Sequence, residues 1–277
     1  LHFIIRSIPN LFTLGNAICG FSSIVIASKI DFTNPNLQFS TIPLAWSASM
    51  IFLAMLFDVL DGMLARLAKV SSDFGGQLDS LCDAISFGAA PAFIILKLGT
   101  DLENPAFRNI HAGLAGLFMA CAIIRLAKYN IETPVETSAF KRFKGLPSPA
   151  AAGCVATIAL LKSFEPSDLG LFQNISFSNF INIWLIAGSF CAALLMVSPF
   201  SYAHLTKHLL KKKNIPLILL GLFCAVPVFL YSPALLAFMV FWIYALNAPS
   251  RQVLHLAFRR NSMDSARSNL DEISRKR

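Results

Sequence analysis

The chain has 277 residues, of which 56% are hydrophobic and only 14% charged, with a mean hydropathy of +0.64. A water-soluble domain carries about a quarter charged residues, so the composition points to a polytopic membrane protein with no room for a separate soluble catalytic domain. The formal charge of +8 does not point to nucleic acid, because the basic excess falls between apolar runs, where it sets topology and meets anionic lipid.

A spanning helix needs roughly 20 mostly apolar residues. In chain order the predicted spans are 9–28, 42–61, 77–97, 109–127, 148–163, 179–198, 215–230 and 233–247. The last two are short and separated only by YSP, so they form a tight hairpin or one of them is re-entrant. With eight spans and the N-terminus inside, only Lys29, Lys97, Arg108 and Lys162 of the 23 Lys and Arg residues lie outside. That asymmetry places both termini and the turn after Asp61 on the cytoplasmic side. Residues 1–247 read as one polytopic catalytic unit and 248–277 as a polar, basic cytoplasmic tail. The run KHLLKKK (207–213) should favour anionic lipid. The opening stretch LHFIIRSIPNLFTLGN lacks the pattern of a cleavable leader, and the chain shows no short internal repeat.

The six cysteines, Cys19, Cys82, Cys121, Cys154, Cys191 and Cys224, all fall in predicted spans and form no CxxC pair. They read as small hydrophobes, neither metal ligands nor disulfide partners. His2, His111, His204, His208 and His255 are scattered and read as interfacial. Trp46, Trp184 and Trp242 read as lipid-facing or interfacial.

Chemistry concentrates in DVLDGMLARLAKVSSDFGGQLDSLCDAISFG, residues 58–88. On a helix with about 100° per residue and Asp58 at zero, Asp61 falls at about −60°, Gly62 at +40°, Ala65 at −20° and Arg66 at +80°. On the next helix, counted from Gly75, Asp79 falls at about +40°, Asp83 at +80° and Ser86 at +20°. Each set shares one face. Measured from a turn near Ser71, Asp61, Asp79 and Asp83 lie within roughly a few ångströms of one another in depth, with Asp58 slightly deeper. Two facing antiparallel helices thus bring four carboxylates together.

Such a cluster calls for cations. Two unit charges at 4 Å repel by about 4 kcal/mol at an effective dielectric of 20. Arg66 alone cannot offset four carboxylates, whereas hard divalent ions such as Mg²⁺ and Mn²⁺ take oxygen ligands and bridge them to phosphates. Two ions among these aspartates would form a site for a pyrophosphate. Gly62, Ala65 and Gly75 leave space for a base and ribose, or simply allow close helix packing. Intramembrane acids also line ion pathways, so a divalent-cation transporter is the rival from another class. The ordered spacing on two adjacent helices favours metal and phosphate.

The pattern Asp58, Asp61, Gly62, Ala65, Arg66, Gly75, Asp79, Asp83 resembles the signature D-x2-D-G-x2-A-R-x8-G-x3-D-x3-D of the CDP-alcohol phosphotransferases, with every spacing intact. Met63 stands where many members carry Arg, and it is given no role. The segments PNLFTLGNAICG (9–20), DSLCDAISFGAAPA (79–92), RLAKYNIET (125–133) and FKGLPSPAAAG (143–153) resemble the branch with serine as acceptor. The resemblance covers roughly the first 155 residues.

It implies an all-α integral membrane protein with a six-helix CDP-alcohol phosphotransferase core plus about two further transmembrane helices. It also implies a homodimer with its site open to the cytoplasm; the compact chain, with no recognisable organelle signal, suggests a bacterial cytoplasmic membrane. CDP-diacylglycerol is the implied donor, L-serine the acceptor, CMP the leaving group, and Mg²⁺ or Mn²⁺, two ions, the cofactor. By the same similarity Asp58, Asp61 and Asp79 are metal ligands, and Asp83 is both ligand and base. Gly62, Ala65, Arg66 and Gly75 then belong to the nucleotide site.

Recognition of serine or of a lipid phosphate falls to Arg125, Lys128, Asn130 and Lys144, each of which equally suits topogenic anchoring. Arg is the residue best matched to bidentate carboxylate or phosphate. Ser86 supports the cluster or packs helices. The alternative acceptors are glycerol 3-phosphate and an inositol phosphate, which should want a denser basic pocket.

Overall fold

The structure is a computed structural model that describes residues 2–32, 38–68, 73–100, 105–132, 143–163, 177–202 and 232–252. The elements are α1 (His2–Ser28), α2 (Gln38–Ala68), α3 (Asp73–Asp83), a π-helical turn (Ala84–Ala89), α4 (Ala90–Gly99), α5 (Pro105–Glu132), β1 (Phe143–Lys144), α6 (Ser148–Ser163), α7 (Phe177–Val197) and β2 (Ser201–Tyr202). A last helix, α8, covers Pro233–Gln252. Among the described residues the protein is all-α apart from the antiparallel two-residue pair β1–β2.

Among the described residues, six stretches are long and apolar enough to span a membrane: Asn10–Ser28, Ser40–Ala65, Phe74–Gly99, Pro105–Ile131, Phe180–Val197 and Pro233–Gln252. This is an integral membrane protein. Every predicted span coincides with a helix except 215–230, which lies outside the described residues. Helix α8 continues past the boundary placed at 247, and residues 253–277 of the tail lie outside the description.

Helix α6 has 16 residues, short for a span of roughly 20, and it sits inside the bundle. Ala151, Ala152, Cys154, Val155, Ala156 and Ala159 are all fully buried. A helix apolar on every side belongs in the interior, and its small side chains let α2 and α7 pack close to it. Gly153 of α6 receives the ring of Phe241, and Gly188 of α7 the ring of Trp242, so α8 is keyed to both helices through glycines.

Two expectations about polar and aromatic residues are corrected here. Trp46 is exposed on the bundle surface, but Trp242 is buried and meets Trp184 edge-on at 5.1 Å between ring centroids. These two rings join helices; they are not an interfacial belt. His111 is also buried, its Nδ1 2.8 Å from the carbonyl of Phe107 and its ring packed on Gly99. The short polar side chain of a helix-facing His, once bonded to its own helix backbone, is as easily interior as interfacial.

The loop leading into α6 is fixed to the end of α7. Gly145 has φ of +86°, the left-handed region that glycine adopts without steric cost. Its N–H donates to the Phe200 carbonyl at 2.8 Å, and the Leu146 N–H donates to Leu195 at 2.8 Å. Tyr202 then donates its hydroxyl to the carbonyl of Ala245 in α8 at 2.9 Å.

Candidate active site

Asp58 and Asp61 stand one turn apart on α2, and Asp79 lies on α3. One carboxylate oxygen from each falls within 4.8 Å of the other two. The predicted facing stripes therefore do converge, though not through a broad α2–α3 interface. Helix α1 packs along α2 and also against α3 and the π-turn, so α1 carries most of the packing around the carboxylates.

Asp61 is buried, while Asp58 and Asp79 are half-buried. Asp61 Oδ2 and Asp79 Oδ1 are buried without a hydrogen-bond partner among the described residues. Buried acceptors left unpaired are costly, and carboxylates this close repel one another. An all-oxygen, anionic donor set with open lone pairs is the chemistry of a hard divalent cation. The residues present fit such an ion.

Asp83, at the C-terminus of α3, stands apart from that set of three. It is buried, and Asn16 of α1 donates its Nδ2 to Asp83 Oδ1 at 2.9 Å. It remains close enough to feel the charges of Asp58, Asp79 and Arg125. Thr13, one turn before Asn16, hydrogen-bonds the carboxylate of Asp61. Directly after Asp83 the helix widens into the π-turn, where a regular helix was expected. Such turns often occur at functional sites.

Ser86, placed by simple periodicity on the aspartate face, donates to the backbone carbonyl of Asn16 at 2.9 Å. Its hydroxyl serves the junction of α1 with the π-turn. Gly62, Ala65 and Gly75 are half-buried near the carboxylates on α2 and α3. Arg66 falls within α2, but its side chain lies outside the described set.

On the other side of the cluster, Arg125 of α5 hydrogen-bonds the hydroxyl of Ser148, the first residue of α6. It shares its electrostatic surroundings with Asp83, Asp58 and Tyr244. Asn130 Nδ2 donates to Ser80 Oγ at 2.9 Å, which ties α5 to the residue after Asp79. Lys128 is exposed. Lys144 lies in β1, opposite Ser201, and its side chain is outside the described set.

Thr13, Asn16, Ser80 and Ser148 were missed from the sequence. The signal for the first two is a polar pair three residues apart inside an otherwise apolar span, which puts both on one helix face. A lone buried polar group in such a span calls for a named partner.

A helical membrane protein that gathers three carboxylates able to hold a metal ion beside a separately anchored carboxylate and an arginine has the features of an intramembrane phosphotransferase. Residues 6–191 match the CDP-alcohol phosphatidyltransferase family, and the chain belongs to that family.

Among curated relatives, a CDP-diacylglycerol–serine O-phosphatidyltransferase of Helicobacter pylori is 36% identical over 154 residues, covering 55% of this chain and 57% of the relative. The enzyme of the same name from Bacillus subtilis is 31% identical over 201 residues, covering 73% of this chain and 92% of the relative. An archaetidylserine synthase of Methanothermobacter thermautotrophicus is 35% identical over 156 residues, covering 56% and 58%. The chain thus spans little more than half the length of the Helicobacter and Methanothermobacter relatives and nearly all of the Bacillus one. Helix α8 lies beyond the family match.

Proposed function

We propose that this protein transfers the phosphatidyl group of CDP-diacylglycerol to the hydroxyl of L-serine, giving phosphatidylserine and CMP. The observation that carries the reading is the convergence of Asp58, Asp61 and Asp79 within 4.8 Å. Serine as acceptor is supported by the names of the relatives, bacterial and archaeal.

In this reading Asp58, Asp61 and Asp79 hold Mg²⁺ or Mn²⁺, and Asp83 both completes a two-ion site and accepts the acceptor's proton. When bound, the ions neutralise the pyrophosphate and stabilise the departing charge. The chain's own residues orient the reactants. The serine oxygen forms a bond to the lipid-side phosphorus, and the P–O bond to CMP breaks. CMP leaves with the electron pair, and the hydroxyl proton passes to Asp83.

Arg66 and the small residues Gly62, Ala65 and Gly75 admit the cytidine nucleotide. Arg125 supplies a fixed positive charge to the serine carboxylate or a lipid phosphate, with Lys128 and Lys144 as further basic candidates. Asn130, bonded to Ser80, holds the frame between α5 and α3, and Ser86 does the same for α1. Arg-and-Lys asymmetry orients the site to the cytoplasm, by family resemblance the working unit is a homodimer, and its membrane is read as a bacterial cytoplasmic one.

The test follows CMP release by purified protein with CDP-diacylglycerol, Mg²⁺ or Mn²⁺, and one acceptor at a time. Serine-dependent release that disappears in Asp83→Asn supports both substrate and base. Release only with glycerol 3-phosphate or an inositol phosphate keeps the chemistry and discards serine. Metal flux into proteoliposomes without release would turn the reading to a transporter.

A further inference from the structure

Asn16 presents an unusual combination. It is fully buried in α1, its Nδ2 is spent on Asp83 Oδ1 at 2.9 Å, and its own Oδ1 is buried with no partner among the described residues. An apolar side chain of the same size would avoid the cost of that orphaned carbonyl. Among the described residues the side chain has no hydrogen-bond partner besides Asp83, so its N–H group is the feature with a use.

The backbone at the same residue is fixed as well. Ser86, in the π-turn that begins just after Asp83, donates its hydroxyl to the carbonyl of Asn16 at 2.9 Å. One turn further along α1, Gly20 faces the same turn so closely that an added Cβ would lie 2.5 Å from the Cα of Ser86. Asn16 and Asp83 are therefore held from both directions, α1 against the π-turn and side chain against side chain. Of the two carboxylate oxygens, Oδ1 is committed to Asn16.

We infer that Asn16 is a positioning residue that pins Oδ1 of Asp83 and so fixes the direction in which Oδ2 faces the ion site and the acceptor hydroxyl. The inference rests on the function proposed above, since it assigns the orientation of the proposed base. Its chemistry is that of a bidentate group made directional. A freely rotating carboxylate offers either oxygen in several poses, whereas one held by a buried amide offers a single oxygen in one. Orientation of that kind governs the rate of the chemical step far more than the binding of the lipid donor.

The experiment uses full-length protein with two size-matched variants that lack the N–H donor, Asn16→Leu and Asn16→Asp. The control is Thr157→Val, which deletes a buried hydroxyl bonded, among the described residues, to Cys154 O at 2.8 Å. Two readouts are taken: serine-dependent CMP release, and the infrared carboxylate band of Asp83, identified by its loss in Asp83→Asn.

The expected result is a shifted Asp83 band in both Asn16 variants, with kcat down about 100-fold while KM for CDP-diacylglycerol stays within about threefold. The control should keep both. An unshifted band, or an Asn16 variant with kcat within about threefold of the parent, overturns the inference. If Asn16→Leu does not fold, Asn16→Asp decides by the same readouts. A parent protein that releases no CMP with serine defeats the acceptor assignment alone, because the band still reports whether Asn16 holds Asp83.

Discussion

Arg125 and Ser148 are hydrogen-bonded across the gap between α5 and α6, and this contact places a cation inside the bundle within the field of Asp83 and Asp58. Ser148 in turn sits at the start of α6, just after the loop fixed by Gly145 and Leu146. The geometry of the arginine thus depends on a chain of backbone ties reaching to α7.

That dependence makes the two positions unequal. Arg125→Ala should lower kcat/KM for serine by roughly 1,000-fold, and Arg125→Lys by about 10- to 100-fold, because an ammonium keeps the charge but loses the planar fork. Ser148→Ala removes one hydrogen bond to a charged group, about 1.5–3 kcal/mol. It should therefore cost about 10- to 150-fold. Kinetics at saturating CDP-diacylglycerol check this, and parent-like values for Arg125→Ala would remove Arg125 from the site.

The three clustered carboxylates predict a crossover in stability. Without metal, Asp58, Asp61 and Asp79 repel one another, so Asp79→Asn should melt above the parent protein in EDTA. With Mn²⁺ the order should reverse, since an ion bound at 100 times its Kd stabilises the folded state by about 2.7 kcal/mol. Detergent melting curves with and without Mn²⁺ measure both. The same order in both conditions would mean that the cluster does not bind the ion.

Much of this site was legible in the sequence because its parts obey simple geometry. Asp58 and Asp61 are one turn apart on one helix, and Asp79 follows a short link, so spacing alone brings them to one place. The span pattern was legible because the bilayer leaves few options for backbone. What was hidden depended on departures from regularity and on distant partners. The π-turn after Asp83 is such a departure, and no residue in AISFGA announces it. Asn16 lies 67 residues from Asp83, and its role emerges only once α1 is seen packed on both arms of the hairpin. The burial of Trp242 depends in the same way on Gly188, a residue of another helix.

Two glycines near the site should respond oppositely to the same change. Gly20→Ala would drive a methyl group into the backbone of Ser86. Overpacking of that kind costs about 1–3 kcal/mol and would part Asn16 from Asp83, so both melting temperature and kcat should fall. At Gly76 of α3 an added Cβ meets nothing within 4 Å. Gly76→Ala should gain close to 1 kcal/mol in helix propensity and raise the melting temperature. Thermal melts of the pair decide, and a tolerated Gly20→Ala would show that α1 can move off the π-turn without loss.

Gly145 offers the most direct test of the loop that delivers Ser148. Its φ of +86° costs an L-residue roughly 1–2 kcal/mol, and an added Cβ would also collide with the carbonyl oxygen of Met196. That oxygen belongs to backbone, so the collision cannot be relieved by turning a side chain. Gly145→Ala should therefore lose at least about 2 kcal/mol of stability and free the start of α6, carrying Ser148 away from Arg125. The kinetic signature should match that of Ser148→Ala in direction and exceed it in size. If Gly145→Ala melts with the parent and keeps its kcat/KM for serine, the tie between this loop and α7 does not set the position of the arginine.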